Sequence, residues 1–137
     1  MTGGLFLDTS AWLAALNPRD GRHHVAARTY EASLSARTQL VTTNLVVAEM
    51  HSLLTRDRSA TAALRYLDQL SEDPSHEVIW TTRDLERRAV DRWLRAFAEH
   101  DFSLADAVSF QVMRERNVPA AFAFDRHFAA AGFQTVP

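Results

Sequence analysis

The sequence predicts an α/β fold in which a small, mainly parallel sheet is covered by helices. Short strand candidates at the apolar run Leu5-Phe6-Leu7, at 39–42, at 76–80 and at the apolar run 120–124 alternate with longer segments of helical periodicity, and that alternation is the pattern of parallel strands joined by helices. Two of the runs end in an acid, Asp8 and Asp125, at the carboxyl ends of strands where open parallel sheets hold their ligands. At 137 residues and 47% apolar content the chain is sized for one buried core, so one domain over 1–137 is expected.

Each element has a local reason. Leu5–Leu7 is a strand stopped by Asp8, and Thr9 and Ser10 can cap a helix over 11–16. The turn cluster Asn17-Pro18-Arg19-Asp20-Gly21 precedes a helix over 23–37, with Val25, Thr29 and Ala32 or Ser33 on one side. After a strand at 39–42, Asn44 can cap a helix to about Leu54, and a helix over 60–71 carries Leu64, Leu67 and Leu70 until Pro74 stops it. His76 to Trp80 reads as a strand. Thr81 and Thr82 open a long helix to about Glu99, with Leu85, Ala89, Trp93 and Ala96 on its apolar stripe and Arg88, Arg92 and Arg95 beside it. Ser103 caps a helix ending near Asn117, 120–124 is a strand ended by Asp125, and 134–136 is an edge strand.

Two zeros in the composition exclude whole chemistries. There is no Cys and no Lys, so all 15 basic residues are Arg. Disulfide frameworks, thiolate nucleophiles, thiolate zinc sites, Schiff bases and P-loop lysines are all absent. A net charge of -2 gives no global field for a nucleic acid, so any such contact must be local. Met1 to Leu7 lacks the basic and apolar pattern of a leader, and no run nears the ~20 apolar residues of a membrane span, so a cytoplasmic protein with no membrane association is expected. The six His residues show no zinc-site spacing; surface or capping roles are expected, and none is assigned to catalysis.

Acids remain. Asp8 and Asp125 either start turns and cap helices or face a crevice. Glu49, one helical turn from Leu45 and from Leu53, is expected to face the core, where a carboxylate needs an Arg, a metal ion or a cleft. Asp106 also leans inward with Phe110 and Met113, although Ser103 followed three residues later by an acid is close to a capping box. Asp101 is either a supporting acid or a loop residue. If the set converges, mutual repulsion requires a cation, and carboxylates with hydroxyls from Thr9 or Ser10 suit Mg²⁺ or Mn²⁺.

Four ordered segments carry a resemblance over nearly the whole chain: Leu5-Phe6-Leu7-Asp8-Thr9-Ser10-Ala11, then Thr42-Thr43-Asn44 leading to Glu49, then Asp101-Phe102-Ser103-Leu104-Ala105-Asp106-Ala107, then Phe122-Ala123-Phe124-Asp125-Arg126-His127-Phe128. The chain resembles the PIN-domain ribonucleases and, among them, the VapC-type toxins of toxin-antitoxin modules. That resemblance implies a three-layer α/β/α fold and an acidic metal site of Asp8, Glu49, Asp106 and Asp125. Thr9, Ser10 and Asn44 would be accessory groups, with Asp101 at the margin. It also implies a homodimer, an antitoxin protein able to occlude the groove, and an RNA substrate cut by in-line attack of water to leave a 5′-phosphate and a 3′-hydroxyl. Ala105 stands where many relatives carry Thr or Ser. Arg83, Arg87, Arg88, Arg92 and Arg95 are candidate RNA-backbone contacts or a solvated helix face. The alternative is a catalytically inactive PIN-like module that binds a partner protein or RNA. A small-molecule phosphatase is disfavoured by the missing Lys.

Overall fold

The computed structural model describes residues 3–137; Met1 and Thr2, the start of the stretch read for a leader, lie outside them. β1 (Leu5–Leu7), β2 (Leu40–Thr43), β3 (His76–Ile79), β4 (Ala120–Phe122) and β5 (Gln134–Val136) form a five-stranded sheet in the order β3-β2-β1-β4-β5. All four pairings are parallel. β1, β2 and β4 are buried along their length, which is why β1 and β4 read as continuous apolar runs rather than as alternation. The chain builds outward from β1 to β3 and then crosses to β4 on the other side of β1. The carboxyl ends of β1 and β4 therefore flank the switch point of the sheet, where a crevice is expected.

The helices are α1 (Thr9–Leu16), α2 (His23–Ser35), α3 (Asn44–Asp57), α4 (Ala60–Glu72), α5 (Arg83–Ala89), α6 (Leu104–Glu115) and α7 (Arg126–Ala130). Among the described residues, no helix is long and apolar enough to cross a membrane. The core is aromatic. Phe110 of α6 packs edge-on against Phe128 and Phe102, each at 5.0 Å between ring centres, and Trp93 donates its indole N–H to Gln111 Oε1 at 3.0 Å. Gly4 enters β1 at φ +83, a left-handed conformation, and a Cβ there would stand 2.9 Å from the Gln39 carbonyl.

Several expectations need correction. The continuous helix to Glu99 is instead α5 followed by a π-helical stretch, Val90–Arg95, and turns; Trp93 is buried there. Val25 and Leu64 are exposed, because Ala26 and Ala63, each one residue away, turn inward instead. The cap of α1 falls on Asp8 rather than Thr9 or Ser10, and that of α3 on Thr43 rather than Asn44. β4 stops at Phe122, so Ala123 and Phe124 leave the sheet before Asp125.

Candidate active site

A cleft of about 300 Å³ opens at the carboxyl rim of the sheet, and Asp8, Glu49, Asp101, Asp106, Asp125 and His127 line it. Thr9, Ser10, Ser103 and Ser109 complete its polar wall, and Val46 and Ala105 its apolar part. The acids come from elements far apart in sequence. β1 delivers Asp8, α3 Glu49, the amino end of α6 Asp106, and the turn after β4 Asp125.

Asp8 is the most buried of them at 9% exposure. Its backbone occupies the N-cap position of α1, yet its side chain makes no capping bond, so the carboxylate is free to face the cleft. The Ser10 hydroxyl donates to Asp8 Oδ2 at 3.1 Å and accepts the Phe124 N–H at 2.9 Å. Ser10 thus ties the end of β1 to the segment beyond β4. Burial pushes the Asp8 carboxyl up to about 6, against hydrogen bonds from the Thr9 backbone and from Ser10, and the charges of Asp106 and Asp125 add to the rise.

Asp106 performs both roles weighed for it. Its carboxylate accepts the Ser103 N–H at 3.0 Å while Ser103 Oγ accepts the Asp106 N–H at 3.0 Å, a complete capping box built with Asp. The same Oδ2 lies 2.9 Å from His127 Nδ1. Asp125 caps α7 through the His127 N–H at 2.8 Å.

His127 is the residue that the sequence reading left out. It follows a strand-end acid by two positions, and that local signal was available. Its Nδ1 faces Asp106 and, at 3.4 Å, Asp125 Oδ1, while Nε2 meets Asp101 Oδ1 at 3.1 Å. Partial burial works downward on the imidazole, but the hydrogen bond to Asp106 and the charges of Asp125 and Asp106 outweigh it, so its pKa is raised. Asp101 is exposed and held below the usual carboxylate range, chiefly by its own backbone N–H and then by His127.

Glu49 corrects the expectation of a core-facing acid. Val46, Met50 and Leu54 form the buried stripe of α3, and Glu49, one residue off that stripe, is exposed on the cleft wall. Asn44 is not brought to the cleft: its amide oxygen accepts the Thr81 N–H at 2.7 Å, tying the end of β2 to the segment after β3. The proposed RNA-contacting arginines are partly engaged elsewhere. Arg88 forks onto Glu115 at 2.7 and 2.9 Å, and Arg95 pairs with Asp91 at 3.0 Å.

The donor chemistry fits a divalent ion. One ligand atom each from Asp106, Asp125 and His127 lies within 4.8 Å of the other two, and a buried carboxylate whose ionised form is disfavoured gains most from a cation. Oxygen-rich donors of this kind suit Mg²⁺ or Mn²⁺.

A parallel sheet of this order with acids gathered at its switch point defines a PIN-like nuclease fold. The PIN domain model matches residues 5–134, and the chain belongs to the PIN-domain family. It is 39% identical over 135 residues to the 23S rRNA-specific endonuclease VapC20 of Mycobacterium tuberculosis, in strain H37Rv and in strain CDC 1551, covering 96% of this chain and 97% of the relative. The crystal structure of the M. tuberculosis VapC20 toxin, described as cleaving the sarcin-ricin loop, superposes with a TM-score of 0.82 at 35% identity, covering 95% of this chain and 96% of that one. The chain is an endoribonuclease of the VapC toxin kind.

Proposed function

We propose that this ribonuclease is metal-dependent and acts in the cytoplasm on a folded ribosomal RNA loop of the kind that VapC20 is named for cleaving. The observation that carries the reading is the convergence of Asp8, Glu49, Asp106 and Asp125 on one cleft. These four would hold Mg²⁺ or Mn²⁺, with Thr9 and Ser10 as polar support and Asp101 acting through His127. A bound divalent ion supplies a more acidic water and charge stabilisation at the phosphorane-like transition state.

The chain's own groups have separable tasks. Asp8, desolvated and oriented by Ser10, presents its carboxylate from the floor of the cleft. Asp106 is fixed twice, by the α6 amino end and by His127. Asp125 would bind a second ion or orient the attacking water. The water oxygen bonds to phosphorus, the P–O3′ bond breaks, and the strand ends carry a 5′-phosphate and a 3′-hydroxyl. The protein works as a homodimer and is restrained by an antitoxin protein that occludes the cleft, as membership of the VapC group implies.

The test is cleavage of purified 23S rRNA, mapped by primer extension, with Mg²⁺ or Mn²⁺ and with excess EDTA. Discrete cleavage that EDTA abolishes and Asp8→Asn removes is the expected result. Equal cutting in EDTA would overturn the metal mechanism, and no cutting by the wild type with no Mg²⁺ binding at millimolar ion would favour the inactive interaction module.

A further inference from the structure

The cleft that meets the RNA is walled by carboxylates, and among the described residues no Arg lines it. A nucleic-acid strand brings a phosphate at every nucleotide, so those flanking the reacting one meet a negative wall unless a rim cation receives them. Three arginines are committed to acids elsewhere: Arg88 to Glu115, Arg95 to Asp91 and Arg116 to Glu77.

Arg22 differs. Its guanidinium carbon stands 4.1 Å from the centre of the Phe124 ring, within the range of a cation–π contact. Its Nε lies 3.6 Å from Asp20 Oδ1, and the side chain remains 54% exposed. Phe124 directly precedes the cleft residue Asp125. Its N–H is held by the Ser10 hydroxyl that also binds Asp8. Stacking engages the flat face of a guanidinium and leaves its in-plane N–H groups on the edge, the geometry that forks onto a phosphate. An Arg already laid on a ring also loses less side-chain freedom when it binds.

We propose that Arg22, laid on Phe124, is a positioning residue that receives the RNA phosphate next to the scissile one and sets the register of the strand over the carboxylates. The inference rests on the cleft being the cleavage centre and adds to it a residue from the loop between α1 and α2. The contact is to the backbone, so it strengthens binding without choosing a base.

The experiment compares Arg22→Ala, Arg22→Lys and Phe124→Leu with the wild type, each checked by circular dichroism and thermal melting. Binding of a uridine dodecamer is measured in an Asp8→Asn background across a salt series. Arg22→Ala should flatten the dependence of log affinity on log salt by about 0.7, the loss of one phosphate contact on a single strand. Arg22→Lys should keep the wild-type slope. In cleavage of 23S rRNA, Arg22→Ala should raise KM about tenfold, the scale of one charge-assisted hydrogen bond, with kcat within about twofold. Phe124→Leu should raise KM in the same direction and add little when combined with Arg22→Ala. An unchanged slope and KM in a folded Arg22→Ala protein overturns the proposal, as does a loss confined to kcat. If Asp8→Asn still cuts RNA, it is the cleft assignment that has failed; if Asp8→Asn is dead and Arg22→Ala is unchanged, only the role of Arg22 has.

Discussion

His127 Nδ1 and Ser103 N both converge on a single oxygen of Asp106, at 2.9 and 3.0 Å. One carboxylate oxygen therefore closes the capping box of α6 and anchors the imidazole that faces Asp101 and Asp125. Folding of the helix end and alignment of the site are the same event.

Stability and activity should consequently separate in the Asp106 variants. Asp106→Ala removes the side-chain half of the cap and should lower stability by about 1 kcal/mol, measured by urea denaturation. Asp106→Asn keeps an acceptor oxygen and should cost less. Both should be inactive in RNA cleavage, because neither supplies an ionised carboxylate. An active Asp106→Asn enzyme would reduce this acid to a helix cap.

β1 and β4 were legible because they are buried along their length and appear as uninterrupted apolar runs, and Asp8 and Asp125 were legible because each ends such a run. Glu49 was misjudged for a geometric reason. Its angular position between Leu45 and Leu53 fits a core-facing residue, but α3 is rotated so that Val46, Met50 and Leu54 turn inward. His127 stayed hidden because, with no His or Cys partner at ligand spacing, its place two residues after Asp125 was the one local signal; its partners, Asp101 and Asp106, lie 26 and 21 residues away. The π-helical stretch at Val90–Arg95 leaves no mark in a pattern read at a fixed helical period.

Asp8 fixes a pH dependence whose sign is opposite to that of a salt-bridged acid. Its folded pKa, about 6, lies above the ordinary aspartate value of 3.8, and at about 1.36 kcal/mol per pH unit burial of the ionised form destabilises the fold by about 3 kcal/mol. That penalty is complete above pH 6 and vanishes below the unfolded value. Asp8→Asn should be more stable than the wild type in EDTA at pH 7.5, with the gap closing towards pH 4, by urea denaturation of both proteins at each pH. A variant less stable at pH 7.5 would mark Asp8 as a structural acid.

The His127 imidazole should titrate above its ordinary value. Its raised pKa means that its contribution to stability is present below the unfolded pKa and is lost as pH rises through the folded one. Proton NMR of the imidazole in EDTA should give a midpoint above 6.5. Asp106→Asn should move it down, since the hydrogen bond to Asp106 leads the upward influences. Mg²⁺ should lower it as well, because a divalent ion among Asp106, Asp125 and His127 disfavours the protonated ring. A midpoint indifferent to both changes would place His127 outside the site's electrostatics.

Ser10 links the two strand ends through one hydroxyl, donating to Asp8 and accepting from Phe124. Ser10→Ala should cost about 1 kcal/mol, the usual net worth of such a bond together with the Phe124 N–H left without its partner. Its effect on the site should be larger than that on the fold. The Ser10 bond lowers the Asp8 pKa, so removing it leaves Asp8 harder to ionise and its carboxylate free to rotate. Mg²⁺ affinity near pH 6 should fall more than affinity at pH 8, where Asp8 is ionised in either protein. Calorimetric Mg²⁺ titrations of the two proteins at both values test this. An equal loss at both would assign Ser10 to carboxylate orientation alone, and no loss at either would detach it from the ion site.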